Sequence, residues 1–239
     1  MFVHNEIGVV QPIREITQVV RAYRKEKQSR YPVMHTDACQ APLWYSLDVS
    51  TYGVDLLSLD GIKVGGPRGV GCLYVRPYTP ITSVVFGGGQ EGGLRSGTES
   101  VSLALGFAKA LVIAKNERES VSKRIFILRD LLWDELKKIA PDAHVVGSLV
   151  HRSPNNLTVC FPSCDAEHLV VACDTYGLAV SYSSSCRTLK EDSSSYVIGA
   201  IDPSCKDSSI RFSLGRDTTE TDIYTACEIL QRALIHIKR

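Results

Sequence analysis

Lys63 and Asp37 are the residues whose types and spacing first suggest chemistry. Lys63 sits in "SLDGIKVGGPRGVGCLYVR", just past an apolar stretch that reads as a strand, with glycines at 61, 65 and 66. Glycines there let the backbone crowd a ligand and hold a lysine in a fixed place. The same stretch also reads as a turn carrying a surface lysine. Asp37 lies in "VMHTDACQAP", an acid at a strand end followed by small residues, where open α/β sheets bind ligands. It reads equally as a helix cap. As a pair they are more pointed. An amine able to form a Schiff base and a carboxylate 26 positions earlier match what pyridoxal phosphate needs. The carboxylate keeps the pyridine nitrogen protonated, and the ring then acts as an electron sink.

A thiol is the third candidate. Cys186 stands alone in "SYSSSCRTLKEDSSSY", among hydroxyls, basic residues and turn formers. It is either incidental to a solvated loop or a thiol held out to reach something, in which case it must be exposed and nucleophilic. The other seven cysteines (39, 72, 160, 164, 173, 205 and 227) lie in or beside apolar or helical stretches, apart from Cys205 in "DPSCKDSS". Cys72 and Cys160 are expected in the core, and Cys205 is the rival to Cys186. There is no CxxC and no regular framework, and the six histidines are scattered. A metal site is therefore not expected, beyond a transient iron–sulfur contact through Cys186.

These residues need elements to hold them. The first half alternates in the α/β manner: "MFVH" reads as a strand end and "PIREITQVVRAYRKEK" as an amphipathic helix with Pro12 in its first turn. "YPVMHTD", "DLLSL", "GVGCLYVR" and "ITSVVF" read as short strands between Gly/Pro punctuation. The texture then changes. Ser96-x-x-Glu99 reads as a capping box ahead of one long apolar helix, and a second helix is predicted over roughly 120–139. The last hundred residues mix strands ("NNLTVCF", "LAVSYSS", "SIRFSL") with helices, the final one opened by Asp217-x-x-Glu220. The expected division is 1–117 and 118–239.

Bulk composition narrows the classes. The chain has 239 residues, enough for a sizeable core, with 44% hydrophobic and 22% charged residues. A net charge of +1 gives no electrostatic case for nucleic acid or an anionic membrane. The apolar run near 103–114 is interrupted by Gly106 and Lys109 and is too short to span a bilayer. No basic leader precedes the first strand, and a chain this large needs no disulfide staples, so a reduced, cytoplasmic setting is expected.

Six blocks in order now carry a resemblance. "HNEIGVVQPI", "HTDACQ", "SLDGIKVGGPRGVGCLYVR", "GGGQEGGLRSGTES", "SPNNLTVCF" and "SSIRFSLGRDTTETDI" are similar to blocks of the class-V, aminotransferase-like cysteine desulfurases. The match runs from the first residue to the last. The resemblance implies a fold-type-I α/β large domain, represented by 1–117, and a smaller α+β domain over 118–239 carrying the cysteine loop. It implies that Lys63 attaches the cofactor, that Asp37 pairs with the pyridine nitrogen, and that Gln40 bonds the ring hydroxyl. Asn5 would touch ring and substrate. Arg211 would hold the substrate carboxylate with its guanidinium fork. Thr98 would contact the cofactor phosphate across a homodimer interface, favoured by a capped helix N-terminus. Cys186, 25 positions before Arg211, would take sulfur from L-cysteine as a persulfide and deliver it to an acceptor or iron–sulfur scaffold protein.

Two departures qualify the resemblance. The family has Ser-Gly-His before its lysine and uses the serine and histidine to bind the cofactor. Here Asp60, Gly61 and Ile62 stand in those positions. A carboxylate replaces a hydroxyl and repels a phosphate nearby; an alkyl group replaces an imidazole. The family's front segment, with its phosphate-gripping turn and ring-stacking histidine, is expected to be missing. Two other readings follow: a catalytically impaired interaction or sulfur-relay protein, or a pyridoxal-phosphate lyase or aminotransferase acting on another amino acid.

Overall fold

The computed structural model describes residues 1–162, 164–182 and 195–237, and Cys186 therefore lies outside the described residues. The chain forms two compact units. The first takes Met1–Phe2 and Gln11–Arg118, and the second takes Val3–Val10 and Glu119–Arg239. A single cut near residue 117 misses this, because the Val3–Val10 turn belongs with the second unit.

In the first unit, helix α1 (Ile13–Lys27) follows Pro12, has Glu15 in its first turn and Arg24, Lys25 and Lys27 in its last. That charge order suits the helix dipole. A three-stranded sheet runs β1 (His35–Asp37), β2 (Leu56–Asp60), β3 (Gly71–Val75). The short helix α2 (Val49–Tyr52), capped by the Asp48 side chain on the Ser50 N–H, connects β1 to β2. β1 and β2 are parallel with Asp37 opposite Ser58, and β3 is antiparallel to β2 with Gly71 opposite Asp60. Both candidate residues thus leave the same end of adjacent strands, the end where parallel sheets bind ligands. Below the lysine turn, Val64, Phe107 and Ala110 form an apolar cluster with Leu59, Val70 and Leu111.

Three local expectations fail in this unit. Cys72 is exposed, not core, because β3 is paired on one side only among the described residues and shows Gly71, Cys72 and Leu73 to solvent. "ITSVVF" forms no strand; its sole pairing is an isolated bridge from Val85 to Arg95. The two helices predicted after residue 96 are one helix, α3 (Val101–Ile139). Nothing in "AKNERESVSKR" breaks it, for the segment lacks Gly and Pro and Glu119 pairs with Lys123 one turn on.

The second unit is built on an antiparallel sheet in the order β4 (His144–Val145), β5 (Asn156–Cys160), β7 (Ser209–Ser213), β6 (Ser181–Tyr182). Every residue of β5 is buried. Helix α4 (Ala166–Thr175), capped by Asp165, packs on α6 (Glu220–Ile237). The short α5 (Tyr196–Ile201) leads into a 3-10 turn, Pro203–Cys205, just before β7. The α6 cap lies two residues later than the sequence suggests. Thr219 Oγ1 accepts from the Asp222 N–H and Asp222 Oδ2 accepts from the Thr219 N–H, so Thr219-x-x-Asp222 is the capping box.

The cysteines also differ from expectation. Cys160 and Cys205 form a disulfide with Cα atoms 5.5 Å apart, and Cys205 is fully buried, so it is no rival to Cys186 as an exposed nucleophile. Sequence spacing hides the pair. Cys160 faces Ser209 across β5–β7, and the turn ending at Cys205 folds back beside it.

Candidate active site

Within the first unit, the turn carrying Lys63 is closed by glycine. The Gly61 N–H donates to the Val70 carbonyl and the Gly66 N–H to the Gly61 carbonyl, both at 2.9 Å. A Cβ on Gly61 would sit 2.8 Å from Val70 Cγ1, 2.9 Å from the Val70 carbonyl oxygen and 3.0 Å from that of Pro67. Only glycine lets the two arms of this turn touch. Lys63 occupies the middle of the 3-10 turn Ile62–Val64, with an exposed side chain, while Val64 is buried as its anchor. Asp60 ends β2 and turns back, its Oδ1 accepting from the Ile62 N–H at 3.2 Å.

Asp37 is half-buried at the end of β1, and its Oδ1 accepts from the Cys39 N–H at 2.9 Å. Cys39 reports what surrounds it. Burial pushes its thiol up to about 12, assisted by a hydrogen bond to Asp37 and by the charges of Asp37 and Asp60, while Lys63 pulls the other way. The two carboxylates and the amine therefore act on one thiol. Gln40 follows, half-buried. Thr98 is exposed in the loop before α3 and is not at a capped terminus. The helix starts at Val101, with the Ala104 N–H reaching the Ser100 carbonyl. The Ser96-x-x-Glu99 box is not made: Gly97 turns the chain at φ +122°, and the helix begins only at Val101.

Within the second unit, the turn His4–Val10 is held by side chains of β5. The Glu6 carbonyl accepts from Thr158 Oγ1 at 2.6 Å and from Asn156 Nδ2 at 3.0 Å. Gly8 has φ +66°, and a Cβ there would lie 2.4 Å from Asn156 Oδ1, so this crossing also requires glycine. The buried Ser195 donates to Glu6 Oε2 at 2.5 Å. Arg152 anchors the other side through Asn156 Oδ1 at 2.8 Å. Burial, with Arg129 nearby, lowers the Arg152 guanidinium to about 10.

This turn presents Asn5 to Arg211. Arg211 sits mid-strand in β7, opposite Thr158 and Ser181, and its Nη1 donates to the Asn5 carbonyl at 3.0 Å. Its Nε is buried with no hydrogen-bond partner among the described residues. Burial pushes the guanidinium down from its ordinary value and Glu6 raises it again. A buried, half-satisfied guanidinium favours an anionic ligand that completes its fork. Sequence reasoning found Arg211 and Asn5 but not Glu6, Asn156, Thr158, Ser195 or Cys39. "SPNNLTVCF" contained two of these, yet nothing in it says which side chains face the turn.

The model of the family described as aminotransferase class-V matches residues 1–225. This chain belongs to that family. Its relatives include the cysteine desulfurase IscS of Ehrlichia chaffeensis, 39% identical over 235 residues, covering 96% of this chain and 55% of the relative. IscS of Escherichia coli O139:H28 is 40% identical over 238 residues, covering 98% and 56%. Among solved structures, a NifS-like protein superposes with a TM-score of 0.87 at 31% identity, over 99% of this chain and 60% of that one. The NifS-like protein of Rickettsia africae gives 0.84 at 28% identity, over 98% and 60%. The mixed α/β architecture is thus that of the NifS-like class-V proteins. The chain spans a little over half the length of the curated relatives it matches.

Proposed function

We propose that this class-V chain is a cysteine desulfurase, removing sulfur from L-cysteine to give L-alanine and a persulfide on Cys186. The observation that carries the reading is the placement of Asp37 at the end of β1 and of Lys63 in the turn just past the end of its parallel neighbour β2, at the ligand-binding end of the sheet. The similarity to cysteine desulfurases across nearly the whole chain supports it.

The residues fit pyridoxal phosphate in their donor chemistry. Lys63 supplies an exposed primary amine in the middle of a glycine-closed turn. Asp37 gives one oxygen to the Cys39 amide and is thereby oriented. Gln40 supplies a donor for the ring hydroxyl, and Thr98 one for the phosphate across a homodimer interface. Asp60, Gly61 and Ile62 occupy the cofactor-side turn, where the Ile62 N–H takes up one oxygen of Asp60. When bound, the cofactor draws electron density from the substrate Cα. Lys63 holds it and moves the proton at that carbon. Arg211 grips the substrate carboxylate, with Asn5 beside it. Cys186, as thiolate, forms the new S–S bond while the C–S bond breaks; the carbon keeps that electron pair and gains a proton.

We further infer a cytoplasmic protein that passes sulfur to an acceptor such as an iron–sulfur scaffold, without nucleic acid or membrane partners. No helix among the described residues is long and apolar enough to cross a membrane. Supplied with pyridoxal phosphate and L-cysteine, the chain is expected to form alanine and protein-bound sulfane sulfur. Cys186→Ser should keep the cofactor absorbance and lose the persulfide, and Lys63→Ala should lose both. Persulfide labelling that survives in Cys186→Ser overturns the acceptor assignment. One observation favours a second reading, a sulfur-relay or interaction protein: Asp60 and Ile62 replace the family's cofactor donors. A colourless protein that still binds a scaffold would support it.

A further inference from the structure

One end of the second unit's sheet gathers two sulfurs, an imidazole and a carboxylate. Cys160 closes β5, His144 pairs opposite it from β4, Asp202 caps the 3-10 turn before β7 and Cys205 ends it. His144 Nε2 lies 3.2 Å from Cys205 Sγ and 3.2 Å from Asp202 Oδ2, and Asp202 Oδ2 lies 3.3 Å from Cys205 Sγ. Three donor atoms of different chemistry thus make a nearly equilateral triangle. The donor atoms of His144, Cys160 and Cys205 all fall within 4.8 Å of one another. Asp202 is set in place from behind: its Oδ1 accepts from the Ser204 N–H at 3.0 Å and the Ser204 hydroxyl at 2.6 Å, leaving Oδ2 aimed at the cluster.

The imidazole of His144 pairs with Asp202 Oδ2, but the disulfide leaves the approach of that oxygen to Cys205 Sγ unexplained. A disulfide sulfur has no proton, so the carboxylate oxygen facing Cys205 Sγ meets a second lone-pair atom and gains no hydrogen bond there. Something positive between them would change that. For zinc, bonds of about 2.0–2.3 Å to N, O and S give tetrahedral edges of roughly 3.3–3.7 Å, close to the triangle observed. Cys160 and Cys205 are 1% and 0% exposed, whereas the His144 and Asp202 side chains are 48% and 34% exposed. A small ion can enter between the outer pair, but a protein thiol cannot reach the sulfurs. Metal binding is therefore favoured over disulfide exchange with a partner protein.

We propose that Cys160, Cys205, His144 and Asp202 form a redox-gated site for a divalent ion of the zinc class. The S–S bond blocks the site. A dithiol or phosphine supplies two electrons, the bond breaks, and each sulfur takes up a proton as a thiol. The incoming ion displaces both thiol protons to solvent, with no change in its own oxidation state. Two thiolates, one imidazole nitrogen and one carboxylate oxygen then complete a tetrahedron around it. In a reducing compartment, where a disulfide does not persist, the ion takes over the link between β4, β5 and the Pro203–Cys205 turn. This site is independent of the desulfurase reading.

The test is zinc content of the full chain on a Cys186→Ser background, so that the loop thiol cannot supply a ligand. After phosphine treatment and gel filtration, one zinc per chain is expected, with none on the untreated disulfide form. Cobalt should give a thiolate charge-transfer band only in the reduced protein. Cys205→Ser should lose the ion. His144→Ala and Asp202→Asn alter side chains outside the buried core, and Asn keeps an oxygen for the Ser204 cap; each should bind at least about tenfold more weakly. A reduced chain that holds no zinc, or His144→Ala holding it as tightly as the parent, overturns the proposal.

Discussion

Gly61 fixes where Lys63 can stand, and its contacts give the sharpest prediction about a single residue. Adding one methyl places a carbon within 3.0 Å of two backbone oxygens and Val70 Cγ1, which neither a rotamer change nor solvent can relieve. Gly61→Ala should cost about 1–3 kcal/mol, read as a lower urea midpoint, and should reduce cofactor retention in parallel. A loss under about 0.5 kcal/mol would mean the turn has slack. Asp60 is the opposite case, a residue whose replacement should help. Its turn-capping bond to Ile62 N–H can be made by a serine hydroxyl without the negative charge. Asp60→Ser is therefore expected to bind pyridoxal phosphate about tenfold more tightly, ~1.4 kcal/mol, in an absorbance titration. Unchanged or weaker binding would place the cofactor's anionic groups away from Asp60.

At the scale of elements, two polar hubs hold the frame. Asp55, just ahead of β2, ties α1 to the sheet: Arg24 Nη2 lies 2.5 Å from its Oδ2, the Met34 N–H donates to Oδ2 at 2.8 Å, and Arg76 Nε lies 3.7 Å from Oδ1. Burial alone would raise this carboxyl, but the Arg24 and Met34 bonds and the charges of both arginines more than offset it, so it is lowered. A carboxyl lowered by folding adds stability above its unfolded value, near 3.9, and that stability fades as pH falls through the folded value. The parent should exceed Asp55→Asn in stability at neutral pH, and the gap should close below about pH 4. A gap independent of pH would sink this account. The second hub is Ser195, which caps α5 by accepting from the Ile198 N–H at 3.1 Å and donates to the buried Glu6. Ser195→Ala removes both links at once. It should lose about 1–3 kcal/mol in thermal unfolding and weaken carboxylate binding at Arg211, since Asn5 belongs to the same turn.

At the scale of the whole molecule, the assignment of Thr98 to a partner's cofactor phosphate makes a claim about assembly. If each site draws Lys63 from one chain and Thr98 from the other, Lys63→Ala and Thr98→Ala chains are each deficient alone. Refolded together in equal amounts, half the dimers are mixed and each mixed dimer regains one intact site, so about a quarter of parental activity should return. No recovery would place Thr98 in its own chain's site or outside any site.

The family, the reactive residue types and most of the elements were legible in the chain before any fold was known. "HTDACQ" and "SLDGIKVGGPRG" each carry a strand end and a charged side chain within a few positions, the second with a required glycine, and such local constraints are written in order along the chain. Anything needing two distant segments in register was not legible. The continuity of α3 turned on the absence of a breaker, and the α6 cap on whether Asp217/Glu220 or Thr219/Asp222 closed. Cys72 looked apolar until its strand proved to be paired on one side. Folding in three dimensions brought Glu6 to Ser195 and Thr158, and gathered His144, Cys160, Asp202 and Cys205. These contacts join residues tens to nearly two hundred positions apart. Only packing and strand register decide which of the many polar side chains at such separations meet.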